Sequence, residues 1–198
     1  ECLRVFVDKL VTQEDRDLIS NKAIGDIVKE FFPDSVETVM REPLIFGDYM
    51  KTSPADPEVE DPKIYEEIPD WEAVAKKFKQ LLADYNDADN NKEMNLVLFK
   101  DALDHLTKIL RIIRQPRGNA LLVGFGGSGK QSLTRLATFT AGYELFMITL
   151  SRGYKEKDFR EDVKKLYDIL CTKPTTFLFT DAHVVEEGFL EIINNMLT

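Results

Sequence analysis

The chain has 198 residues, 43% of them hydrophobic and 31% charged, with 26 Lys and Arg against 35 Asp and Glu and a formal net charge of −9. That is enough length and apolar content for one packed domain, or one domain plus a piece of another, and it is not the composition of a disordered chain. The acidic balance speaks against nucleic acid as the main partner and against an anionic membrane surface, since both call for clustered Lys and Arg.

No apolar run approaches the ~20 residues of a membrane helix, and no basic-then-apolar leader opens the chain. Cys2 and Cys171 stand in no metal-binding spacing and read as reduced thiols of an intracellular protein. His105 and His183 cannot build a zinc site alone. The chain starts at Glu1 without Met and stops at Asn194–Thr198 inside an apolar-periodic pattern, so it reads as a piece of a longer polypeptide.

In chain order, residues 1–32 carry helical spacing, with Leu3, Phe6, Val7 and Leu10 recurring on one face. Thr12 followed by Asp15 forms a capping box that opens a second helix towards Phe31, and Pro33-Asp34-Ser35 ends it. Pro43 to Gly47 reads as a short strand or extended segment. Residues 51–69 are acidic and punctuated by Pro54, Pro57, Pro62 and Pro69, as expected of a linker between domains. A long surface loop within one domain is the alternative.

From residue 70 the pattern becomes regular. Asp70 caps a helix carrying Trp71, Val74, Phe78, Leu81 and Leu82 on one face. Leu96 to Arg114 reads as the next helix, with Phe99, Leu103, Leu106, Ile109, Leu110 and Ile113 inward. Ala120 to Val123 is a short all-apolar run, as expected of a buried parallel strand. A Gly-rich loop follows, then a helix over Lys130 to Ala141, a strand over Glu144 to Leu150, and an amphipathic helix over 155–171. The last two elements are a strand over Thr176 to Thr180 and a helix from about Glu186. Strands alternating with helices predict an α/β fold with a parallel sheet.

Gly124-Phe125-Gly126-Gly127-Ser128-Gly129-Lys130 fits the phosphate-loop pattern G-x-x-x-x-G-K. Glycines allow positive φ and close backbone approach, so successive N–H groups line an anion nest at a helix N-terminus. Lys130 adds a mobile charge for the β- and γ-phosphates. The position after the lysine departs from the pattern. Gln131 stands where a Mg²⁺-ligating hydroxyl is expected, and the hydroxyl comes one residue later at Ser132, placed for an α-phosphate.

Phe177-Leu178-Phe179-Thr180-Asp181 is an apolar strand ending in a carboxylate, 51 residues after Lys130. Asp181 at that strand end is the candidate ligand for Mg²⁺, directly or through water. The next residue is Ala182, where a water-polarising Glu stands in hydrolysing enzymes of this class. His183 is a poor substitute base, and Glu186 and Glu187 read as first-turn acids serving the dipole of the helix that follows.

The stretches Leu96–Ala102 and Arg117–Ala137, with Phe189–Asn194, resemble the fourth AAA+ module of a dynein heavy chain, and Glu1–Leu10 resembles the helical lid that ends the third module. Ala182 points to an axonemal heavy chain. The resemblance implies residues 1–50 as lid, 51–69 as linker and 70–198 as the N-terminal part of the fourth large subdomain. It implies a P-loop NTPase sheet of order 5-1-4-3-2, with strands one to three in this sequence, and Leu96 to Phe99 against the adenine. It also implies a ring of six AAA+ modules that moves on microtubules in cilia and flagella, with no nucleic-acid or membrane partner. The expected setting is cytoplasm, cytoskeleton and ciliary axoneme. The fourth module would be a regulatory site holding ATP or ADP, with Mg²⁺ weakly supported and little or no hydrolysis. The alternatives are an active NTPase with an unusual base, or a structural module with a vestigial loop.

Overall fold

The structure is a computed structural model and describes residues 2–7, 9–51, 63–88 and 93–197. Most of the Pro-rich stretch, residues 52–62, lies outside the described residues. The chain divides into two compact units, Glu1–Ile45 and Phe46–Thr198.

The first unit is helical. A wide helical turn at Leu3–Val7 precedes α1 (Gln13–Asp17), which runs on through Leu18–Ile24 into α2 (Gly25–Phe31). Thr12 caps α1 as its spacing predicts: Thr12 Oγ1 accepts from Asp15 N–H at 3.2 Å and donates to Asp15 Oδ2 at 2.6 Å. A short turn at Pro33–Ser35 leads into α3 (Val36–Val39). So short a segment buries little: Val28 is inside, whereas Phe6, Leu18, Ile27, Phe31 and Phe32 are exposed.

In the second unit β1 (Ile45–Gly47) pairs with β2 (Glu66–Ile68), so the described end of the 51–69 stretch includes a strand. α4 (Trp71–Asp87) is capped by Asp70, whose Oδ1 accepts Ala73 N–H at 2.7 Å. It buries Val74, Phe78, Leu81 and Tyr85, spaced four, three and four apart. α5 (Lys100–Arg114) buries Ala102, Leu103, Leu106, Ile109 and Leu110 and makes its most extensive contact with α6 (Lys130–Ala141). α4 packs on both.

The predicted start of α5 at Leu96 is corrected. Residues 93–99 are not helical, Phe99 is the N-cap, and its side chain is 59% exposed instead of inward. The Asn86 side chain pairs with the backbone of Met94 and holds the start of this segment.

β3 (Glu144–Phe146) pairs in parallel with β4 (Thr175–Phe177), Glu144 opposite Thr175 and Phe146 opposite Phe177. Leu178 N–H donates to Phe146 O at 2.9 Å and carries the pairing one residue further. The crossover is α7 (Glu156–Leu170), and α8 (Gly188–Leu197) closes the chain. One core here is aromatic: Phe159 stacks on Phe189 with centroids 4.5 Å apart and planes 6° from parallel, beside Ile148, Tyr154 and Val163.

The chain is thus an incomplete α/β P-loop fold with a small parallel sheet. Ala120 to Val123 is not a buried strand in it. This run forms no ladder, and Leu121 and Val123 are 89% and 86% exposed. A strand needs a neighbour for its backbone groups. Among the described residues β3 and β4 pair only with each other, and no strand pairs with this run.

Candidate functional site

The glycine-rich loop runs from the exposed apolar segment into α6. Gly127 and Gly129 have φ of +78° and +79°, the left-handed region where a side chain is strained. A Cβ placed at Gly126 or Gly127 would meet nothing within 4 Å, so the loop has open space beside both glycines. Gly129 is the N-cap of α6 and no side chain caps that helix end. The first-turn N–H groups therefore have no capping acceptor, and no acidic residue stands in the first turn. Unpaired amides at a positive helix end favour an anion.

Lys130 is the first residue of α6 and folds back over the loop. Its Nζ donates to Gly124 O at 2.7 Å, Phe125 O at 2.8 Å and Ser128 Oγ at 3.2 Å. These contacts engage all three ammonium donors. They tie the loop around the ammonium. Gln131 is exposed on the helix surface and Ser132 is half-buried one residue on.

Asp181 opens a helical turn, Asp181–His183, just past β4, and is exposed. It makes no hydrogen bond or ion pair to residues 124–132 among the described residues. Nor do three His, Cys, Asp or Glu side chains cluster to hold a metal among the described residues. One carboxylate still fits Mg²⁺, which commonly takes one or two protein carboxylates and completes its shell with phosphates and water.

His183 is buried against Phe179, and its Nδ1 accepts Thr180 N–H at 3.1 Å. Burial lowers its pKa below the ordinary histidine value, opposed by the Asp181 charge. The ring closes the turn instead of facing solvent. Glu186 precedes α8 and works on two helices: its backbone carbonyl accepts Phe189 N–H at 3.1 Å, and its Oε2 accepts Glu156 N–H at 3.3 Å, a first-turn amide of α7.

An open cavity of about 290 Å³ lies beside the loop, lined by Leu82, Asn86, Met94, Asn95, Leu96 and Val97. Leu96 joins the two features, since its Cδ1 stands 3.7 Å from where a Gly129 Cβ would be. The resemblance implies Leu96 and Val97 near such a pocket, but not Asn86. That residue sits in a polar run, Asn86-Asp87-Ala88-Asp89-Asn90-Asn91, that reads as loop chemistry, and no spacing rule pairs it with Met94.

A family model described as the P-loop containing dynein motor region D4 matches residues 94–198, more than half of the chain. The chain belongs to the dynein heavy-chain family. Over its whole length this dynein segment is 56% identical across 200 residues to dynein axonemal heavy chain 10 of Homo sapiens. It is 46% identical across 203 residues to the dynein-1-alpha heavy chain of the flagellar inner arm I1 complex of Chlamydomonas reinhardtii. It is 45% identical across 208 residues to human dynein axonemal heavy chain 6. The dynein segment spans 4% of the length of the first two relatives and 5% of the third. Its matched region begins at Met94, the residue pinned by Asn86.

Proposed function

We propose that this dynein segment is an adenine-nucleotide-binding part of a microtubule motor ATPase of cilia and flagella, and that its site holds nucleotide as a regulatory ligand with little or no hydrolysis. The observation that carries the binding half is the loop itself: two positive-φ glycines open an uncapped helix whose first residue is Lys130. The backbone of Gly126 to Ser132 and the Lys130 ammonium would hold the phosphates. Asp181 would hold Mg²⁺, which when bound neutralises charge developing on the phosphates.

The slow-hydrolysis half rests on Ala182 and Gln131. A methyl group cannot polarise water, and general-base assistance is typically worth ~10²–10⁴-fold. His183 does not replace the missing carboxylate, because its Nδ1 is already bonded to Thr180 N–H. The neighbouring AAA+ modules of the same polypeptide would be the direct partners, and microtubules would be reached through the rest of the motor. The cytoskeleton of the ciliary axoneme is the setting that the names of the axonemal and flagellar relatives support.

Titration calorimetry with ADP tests the binding half. Lys130→Ala should weaken binding by about one to two decades, the scale of a charge-assisted contact, and an unchanged dissociation constant would overturn the reading. The hydrolysis half is tested in a longer motor polypeptide with its first and third modules disabled. Single-turnover hydrolysis at motor-like rates from the remaining site would contradict it, whereas Ala182→Glu should raise a near-zero rate only slightly.

A further inference from the structure

Asn86 stands on the last turn of α4, and its side-chain amide is engaged by one partner. Its Nδ2 donates to Met94 O at 3.1 Å, and its Oδ1 accepts Met94 N–H at 2.8 Å. The amide pairs with the Met94 backbone as a neighbouring strand would, using one donor and one acceptor together. Met94 is buried at 8% exposure, so its two backbone groups need these bonds. The tie fixes Met94, from which the segment runs on to α5. Two residues on, Leu96 lies against Gly129, and with Val97 it walls the cavity of about 290 Å³. That volume is at the low end for ligand pockets. α4 itself is anchored on the phosphate-loop helix, where Tyr85, the residue before Asn86, meets Phe139 of α6 edge-on at 5.4 Å.

We propose that Asn86 is a positioning residue for the nucleotide base: by clamping Met94 it sets the Leu96–Val97 wall at a fixed place beside Gly129, so that the cavity takes a planar purine while the loop takes the phosphates. This rests on the nucleotide reading above. Asn86 does not read the base, because the edge that could do so is bonded to Met94. It transmits the position of α4 and α6 to the wall of the cavity.

The test separates the base from the phosphates in the 198-residue chain. Calorimetry compares ADP with inorganic pyrophosphate for the wild type, Asn86→Leu and Asn86→Asp. Asn86→Leu removes both bonds to Met94, and Asn86→Asp keeps the acceptor alone. The expected result is a loss of ADP affinity of roughly tenfold for Asn86→Leu, the scale of about one neutral hydrogen bond. Asn86→Asp should also lose ADP affinity, because a carboxylate oxygen replaces the donor that faces Met94 O, with pyrophosphate affinity unchanged in both. Lys130→Ala should give the opposite pattern, weakening both probes. Should Asn86→Leu not fold, the ADP-to-pyrophosphate ratio of Asn86→Asp decides in its place. Equal loss of both probes, or no loss of ADP, would overturn the positioning role. A wild type that binds pyrophosphate but not ADP would overturn it while sparing the phosphate loop. A wild type that binds neither would overturn the nucleotide reading and this role with it.

Discussion

Gly129 carries three constraints at one Cα. It is left-handed at φ +79°, it is the N-cap of α6, and it faces Leu96 at van der Waals distance from a would-be Cβ. The steric room is adequate, so the constraint on substitution is conformational. Gly129→Ala should cost about 1–2 kcal/mol of stability, the strain of a left-handed residue with a side chain. It should also weaken ADP binding, because relaxing φ re-aims the first amides of α6. Urea melts and calorimetry check the two effects separately, and an unchanged melt would mean the loop relaxes freely. Lys130 and Gln131 divide the roles differently. The lysine already binds loop oxygens, whereas the glutamine is exposed and offers only a side-chain carbonyl in place of the missing hydroxyl.

Among the elements, the turn at Asp181–His183 holds a buried histidine whose titration bears on stability near neutral pH. His183 closes it by accepting Thr180 N–H, which requires an unprotonated Nδ1. Burial lowers its folded pKa below the ordinary value of 6.5, with Asp181 opposing. The sign follows from proton linkage. Above that ordinary value both folded and unfolded forms are neutral, and the stability of the turn is full. As pH falls below it, the unfolded chain takes up a proton that the folded ring resists, so unfolding becomes easier. Urea midpoints measured from about pH 7.5 to about 5.5 should therefore fall more steeply in the wild type than in His183→Gln. Parallel slopes would show that the ring is not shielded.

For the molecule as a whole, the exposed run from Leu121 to Phe125 is the main liability. Leu121, Val123 and Phe125 are 89%, 86% and 92% exposed in a segment with no ladder. From Leu121 to Val123, backbone outside any ladder beside apolar side chains is a template for pairing with another chain. The 198-residue chain should self-associate in sedimentation experiments as its concentration rises. Leu121→Lys with Val123→Lys should reduce this while leaving stability in urea within about 0.5 kcal/mol, since neither side chain is packed. A monodisperse wild type would overturn the expectation.

Local chemistry was enough to place the caps at Thr12 and Asp70, the helix from Lys130 to Ala141, and the glycine-rich loop. Each depends on contacts three or four residues apart, or on a backbone angle that only glycine takes freely. The parallel order of strands and helices was legible for the same reason, because the change of hydrophobic period marks each element. Three features were decided by the tertiary structure. Ala120 to Val123 has the composition of a buried strand, but burial needs partner strands, and composition cannot supply them. Phe99 has the spacing of a core residue, yet it is the exposed N-cap of α5, after a segment whose Met94 is held by Asn86. Glu186 precedes α8 but satisfies an amide of α7, thirty residues back in the chain. Each outcome depends on which segments pack beside which, so it exists only once the helices and strands have packed.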